Sequence, residues 1–142
     1  MRQGKKIELT QEEHTKLFKR GVEAVYLFGS YAEGRAHPLS DVDFAVLMED
    51  SRAVSPKAST LDLYQELFDI LAPHAPRDVK DIDIVFLQRA PLELQCNVVR
   101  LGKVIFEKDP QRRLDFETRV VLLYADFKPL LTLFDHAILE RI

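Results

Sequence analysis

Two short apolar runs in this chain each begin with a pair of aspartates two residues apart. Asp41-Val-Asp43 opens DVDFAVLM at 41–48, and Asp81-Ile-Asp83 opens DIDIVFL at 81–87. Runs of this length, rich in β-branched and aromatic residues and bounded by turn formers, read as buried strands. Side chains two apart on a strand project from the same face, with Cα atoms ~7 Å apart. An unpaired charge leading into a buried strand is costly. Two carboxylates at this spacing can instead converge on a hard divalent cation, which favours oxygen ligands.

The remaining pattern alternates helix and strand. Thr10 followed by Glu13 is a capping box, opening a helix over 11–20 that Gly21 stops in a left-handed conformation. VEAVYLF at 22–28 reads as a buried strand, broken by Gly29-Ser30. The segment from Tyr31 to Ser40 carries Gly34 and Pro38 and reads as a short helical turn plus loop. Ser55-Pro56 marks the start of a helix over 56–72, with Leu61, Tyr64, Leu67, Phe68 and Leu71 at helical spacing and Pro73 and Pro76 ending it. Pro91 starts another helix that stops near Gly102, and KVIFE at 103–107 reads as a short edge strand. From Pro110 the pattern is helical almost to the end, with Pro129 expected to kink or break it. The expected fold is α/β (α+β): a mixed β-sheet with strands 22–28, 41–48 and 81–87 at its centre, helices packed on it and a helical C-terminal tail. One domain over 1–142 is expected, with a core at 1–109 and C-terminal helices at 110–142.

Composition excludes several classes. At 142 residues there is room for one domain of ordinary size. Lys and Arg number 20 against 23 Asp and Glu, a net charge of −3, so a domain built to coat nucleic acid is not expected. Cys96 is the single cysteine and cannot form an internal disulfide, which fits a reducing compartment. No apolar run approaches the ~18–20 residues of a membrane span, and no signal-peptide core follows MRQGKK, so a cytoplasmic location is expected.

The informative stretch is GSYAEGRAHPLSDVDFAVL at 29–47. A Gly-Ser turn after a strand exposes backbone N–H groups that can cradle phosphate oxygens. Ten residues later come Asp41 and Asp43, and Asp83 supplies a third carboxylate at the same place relative to its own apolar run. Phosphoryl and nucleotidyl transfer commonly uses two metal ions ~3.5–4 Å apart to hold the attacking and leaving oxygens in line. Alone, a Gly-Ser turn or an Asp-x-Asp is commonplace; the combination is the signal.

With GS-x10-D-x-D and a later strand aspartate, the chain resembles the minimal nucleotidyltransferases of the DNA polymerase β-like superfamily. Within it the MNT group is most similar, a group that includes the antitoxins of HEPN/MNT toxin–antitoxin pairs. The likeness runs through VYLFGS, DVDFAVL, IDIVFLQRAP and RLGKVIFEKD into RRLDFETRVVLLYADFKPLL. It implies a Mg²⁺-dependent enzyme, with two ions, that transfers AMP from ATP to a hydroxyl, namely a tyrosine of a HEPN ribonuclease toxin with which it forms a hetero-oligomer. By position, Gly29 and Ser30 would hold the triphosphate, Asp41 and Asp43 would bind metal, and Asp83 would complete the metal set and deprotonate the acceptor. Asp81 falls outside the pattern, as a neighbour that raises a pKa by like-charge repulsion. Many members carry Arg or Lys where Tyr31 and Glu33 stand here, so phosphate neutralisation falls to Arg35 or to a basic residue elsewhere.

Two rival functions remain at this point. An aminoglycoside-type small-molecule nucleotidyltransferase would need a further helical domain or a dimer to build its acceptor pocket. A non-catalytic antitoxin that neutralises its partner by contact would not need Gly29, Ser30, Asp41, Asp43 and Asp83 together. Other residues read as structural. His14, His74 and His136 have no ligand-spaced partners and read as solvated, and Cys96 as a small buried thiol. Gln111-Arg112-Arg113 with Arg119 reads as a solvated helix face. Leu122, Leu123, Phe127, Leu130, Leu131, Phe134 and Ile138 are more apolar residues than a small core needs, and read equally as packing or as a docking surface.

Overall fold

The computed structural model describes residues 7–34, 41–55, 58–75 and 81–140. Helix α1 (Gln11–Lys19) precedes β1 (Val22–Phe28) and β2 (Val42–Met48); α2 (Leu61–Leu71), β3 (Ile82–Phe86), α3 (Leu92–Leu101), β4 (Lys103–Glu107) and α4 (Pro110–Glu140) follow. The four strands form one mixed sheet in the order β3-β2-β1-β4, with β1 antiparallel to β2 and β4, and β2 parallel to β3.

Both faces of this sheet are covered. Val25, Leu27, Phe44, Val46 and Ile84 point to one side and pack with Leu17 of α1 and Leu63, Leu67 and Leu71 of α2. Ala24, Tyr26, Ala45 and Leu47 point to the other, against Cys96 and Val98 of α3 and Phe116 and Val120 of α4. A bulge between Val22 and Ala24 places Val22 with Val25, on the α1 side, despite their odd separation. Burial on both faces explains why β1 and β2 read as continuous apolar runs rather than alternating ones.

Local signals set the ends of several elements. The capping box forms as expected: Glu13 N–H donates to Thr10 Oγ1 at 3.1 Å and Thr10 N–H to Glu13 Oε1 at 2.8 Å. Gly21 follows α1 with φ +83°, the left-handed stop. Cys96 is buried, as a small apolar side chain would be.

Four expectations change. The 81–87 strand is not central: β3 pairs only with β2 and forms an edge, as its five residues and alternating exposure suit. Helix α2 starts at Leu61 behind Thr60, not at Pro56, which lies outside the described residues. Ser55 instead closes a 3₁₀ turn over Ser51–Val54 whose first N–H groups are capped by Asp50. The buried stripe of α2 is Leu63, Leu67 and Leu71, while Leu61 stands in solvent. Lastly, α4 runs through Pro129 as one helix, so the break allowed for there does not occur. Proline's fixed φ suits a helix; what it removes is one hydrogen bond.

His14 and His74 are not solvated. The His14 ring tilts against Phe106 of β4, its centroid 5.4 Å away. His74 Nε2 lies 2.7 Å from Glu13 Oε2, tying the end of α2 to the cap of α1. Nor is Arg113 a free surface charge. It donates to Glu107 at 2.5 Å and to Glu117 at 2.9 Å, while Tyr26 Oη donates to Glu117 at 2.9 Å. This network clamps the first turns of α4 onto the sheet. His136 is exposed, as expected.

Candidate active site

The strand register brings the expected acids together. Asp43 pairs with Asp83 across the parallel β2–β3 ladder, and parallel partners share a face, so both carboxylates lie on the α3 and α4 side of one sheet end. Asp41 lies one step before β2 and Asp81 one step before β3, each two residues from its partner and therefore on the same side. Asp41, Asp81 and Asp83 are exposed, whereas Asp43 is half-buried. Asp81 has a clear backbone role: its carbonyl accepts the Val42 N–H at 3.0 Å and extends the ladder to the mouth of β2.

Gly29 closes the other side of this cluster. Phe28 is the antiparallel partner of Asp43, so the turn that follows leaves the sheet directly beside that carboxylate. Gly29 has φ +77°, and a Cβ there would collide with Asp43 Oδ2. Two independent constraints therefore require glycine: the left-handed backbone and the carboxylate against it. The turn continues through Ser30 to Glu33, whose N–H donates to the Gly29 carbonyl at 3.1 Å, and Ala32 is buried beneath it. Ser30 thus sits at the lip of the aspartate cluster. Arg35 and His37, the expected source of positive charge, lie outside the described residues.

Burial, then the charges of Asp83 and Asp41, push Asp43 up to about 6. Every influence on that carboxyl raises it, and no cationic side chain among the described residues offsets them. Such a cluster fits a hard divalent cation, which would supply the missing charge. Among the described residues no three acidic, histidine or cysteine side chains close round a single point.

Comparison with known proteins agrees with this geometry. Residues 10–111 match the family described as "Polymerase beta, Nucleotidyltransferase". This chain belongs to that nucleotidyltransferase family. Over 120 residues, 82% of this chain and 78% of the relative, it is 30% identical to the protein adenylyltransferase MntA of Shewanella oneidensis. A toxin–antitoxin structure with AMP-PNP matches at 27% identity and a TM-score of 0.59, covering 92% of this chain and 99% of the other. A tri-AMPylated Shewanella oneidensis HEPN toxin in complex with MNT antitoxin shares the fold at 24% identity and a TM-score of 0.53, over 90% of this chain and 98% of the other. Among the described residues no helix of this nucleotidyltransferase is long and apolar enough to cross a membrane.

Sequence patterns missed two features that fix the strand frame, both at the end of β2 away from the aspartates. Gln88 accepts the Met48 N–H at 3.2 Å and donates to the Met48 carbonyl, fixing the far end of β2 to the turn after β3. Gln95 of α3 donates to the Leu87 carbonyl at 2.8 Å and braces the same turn. Glutamines that bond backbone carry no local signature, so only the fold reveals them.

Proposed function

We propose that this nucleotidyltransferase is a divalent-metal-dependent protein adenylyltransferase that moves AMP from ATP to a tyrosine hydroxyl of a HEPN toxin, and so acts as that toxin's antitoxin. The observation that carries the reading is the juxtaposition of Asp43, Asp83 and the glycine turn at one sheet end. The 30% identity to an adenylyltransferase over most of the chain supports it.

In this reading the backbone of Gly29 and the hydroxyl of Ser30 hold phosphate oxygens, and Asp41, Asp43 and Asp83 hold the metal. A bound divalent cation would neutralise phosphate charge and lower the pKa of the acceptor hydroxyl. The tyrosine oxygen attacks the α-phosphorus, the bond from that phosphorus to the bridging oxygen breaks, and pyrophosphate leaves. The phenol starts near ~10 and needs a base at neutral pH. Asp83 takes its proton, since it projects from the metal-holding face yet sits on the exposed edge strand where an acceptor can approach. Arg35 remains the proposed counter-charge for the triphosphate.

The test uses radiolabelled ATP, Mg²⁺, this chain and a HEPN-domain toxin. Label on a toxin tyrosine, lost on Asp83→Asn with nucleotide still bound, is the expected result. Unlabelled toxin, or label that survives Asp41→Asn with Asp43→Asn, overturns the reading.

A further inference from the structure

We infer that the free half of α4 is the surface that docks the toxin, seated in an apolar groove of that partner. The proposal rests on the functional reading above and adds the place of contact. Phe116 and Val120 of α4 are buried against the sheet and α3. The same stripe continues at Leu123, Phe127 and Leu130, at intervals of three and four residues, which is the spacing of a helix–helix seam. Nothing in the described chain covers these three, which are 43%, 47% and 47% exposed. Half of one seam is therefore satisfied within the chain and half is presented to solvent. The side chains of Leu131, Phe134 and Ile138 lie outside the described residues.

The helix beyond Val120 is also apolar off the seam. Val121, Leu122 and Leu133 are exposed, and by ~100° per residue they lie more than ~90° round from it. Between 121 and 133 only Asp126 and Lys128 carry charge. A helix apolar on all sides belongs in a buried setting. A second copy of this chain, pairing helix to helix, would cover the seam and leave Val121, Leu122 and Leu133 in water. A groove between elements of a larger partner covers both. The match to the toxin–antitoxin chain spans 92% of this one, a share residues 1–109 alone fall well short of, so a chain solved as half of such a pair shares at least part of α4.

The experiment uses the full chain and a HEPN-domain toxin as the probe, with binding read by calorimetry and mass by light scattering. Leu123→Glu with Phe127→Glu should weaken binding at least ~100-fold, as loss of a buried anchor cluster does. Leu61→Glu, at a still more exposed apolar site on α2, should leave it unchanged. Melting temperature and the thermal shift with ATP–Mg²⁺ confirm that the double variant is folded. If that variant binds the toxin as tightly as wild type while transfer proceeds, the docking proposal falls and the functional reading stands. If wild type alone is a dimer that the variant converts to monomer, with toxin binding intact, the occupant is a second copy and the proposal is overturned. If wild type neither binds nor modifies the probe, the functional reading fails first and takes the docking site with it.

Discussion

Each end of the central strand pair holds a carboxylate away from bulk water, and the two ends treat it differently. At one, Asp43 sits beside Asp83 and Asp41 with only like charge acting on it. At the other, ~16 Å away by strand rise, Glu23 is 3% exposed, with neither carboxylate oxygen hydrogen-bonded. Burial and the charges of Glu49 and Asp109 raise its pKa, but Arg112 and Lys108 oppose them. Glu23 lines a pocket of about 140 Å³ with Gln88, Arg112 and Arg119 among its walls. Among the described residues, one end gathers acids and supplies no cation, while the other mixes both signs. A like-charge cluster with a glycine turn packed against it is, on the function proposed above, where a cation from outside would sit. A mixed-sign pocket can settle its own charge and demands no ligand.

The sharpest way to break this contrast is Asp43→Asn. Transfer should fall at least ~10³-fold, as expected when a preorganised electrostatic partner of the reacting phosphate is removed. Stability should move the other way. The folded-state pKa of Asp43 is raised to about 6, so the folded state holds a proton that the unfolded state releases near pH 4. Stability therefore falls as pH rises through roughly pH 4 to 6. Removing the group should make the metal-free protein more stable at pH 8, by on the order of 1–2 kcal/mol after allowing for solvent screening. The gain should vanish near pH 4 and shrink when Mg²⁺ and ATP stabilise wild type. Denaturant melts at the two pH values check this; a destabilised variant at pH 8 would mean the acids already have a partner within the protein.

Gly29→Ala probes the backbone side of the same end. The added Cβ meets both a left-handed φ and the Asp43 carboxylate, so the turn or the aspartate must move. A loss of about 1–2 kcal/mol in stability is expected from the backbone alone. Transfer should drop about 100-fold, since small misplacements of reacting groups have that effect. Gly34→Ala is the control: its φ is also positive, at +71°, but nothing lies within contact of a Cβ there. It should show the stability loss with little loss of transfer. Equal losses of transfer in both would assign the effect to loop strain, and the close approach to Asp43 would carry no functional weight.

What was legible in the sequence follows the range of the interactions. Strands β1, β2 and β4, the cap of α1 and the shared face of the aspartates are encoded within a few residues, and each reads correctly. Sheet order is not local: the β3 run looks as apolar as that of β2, and only pairing shows that it is an edge. Ser55-Pro56 carries every sign of a helix start, yet Ser55 closes a 3₁₀ turn that Asp50 opens, and Thr60 takes the position before α2. His74 finds Glu13, and Tyr26 finds Glu117, across 61 and 91 residues of sequence. No pattern reports such partners. The meeting of Asp43 with Asp83 was readable because its logic, paired acids on successive strands, is written in short spacings; the roles given to these acids, to Ser30 and to Arg35 stand as expectations.

Glu23→Gln tests the other end and should give the smallest effect. The folded state raises the pKa of Glu23, chiefly by burial. It therefore binds its proton more tightly than the unfolded chain, and stability is lost as pH rises from the unfolded value through the folded one. A glutamine has no proton to lose, so the variant should gain on wild type as pH rises. At pH 8 the gain should be on the order of 1 kcal/mol, comparable to other buried polar groups. That corresponds to about 3 °C in melting temperature for a chain of this size. Below the unfolded pKa both side chains are neutral and the gap should close. Transfer of AMP should be unchanged, because the group is a full strand length from Asp43. Calorimetric melts at pH 4 and 8, with the transfer assay alongside, separate the outcomes. A variant less stable than wild type at pH 8 would mean that Glu23 is ionised and held by Arg112, a structural ion pair. A change in transfer would mean that the two ends of the sheet are coupled, and that the mixed-sign pocket communicates with the aspartate cluster through β1.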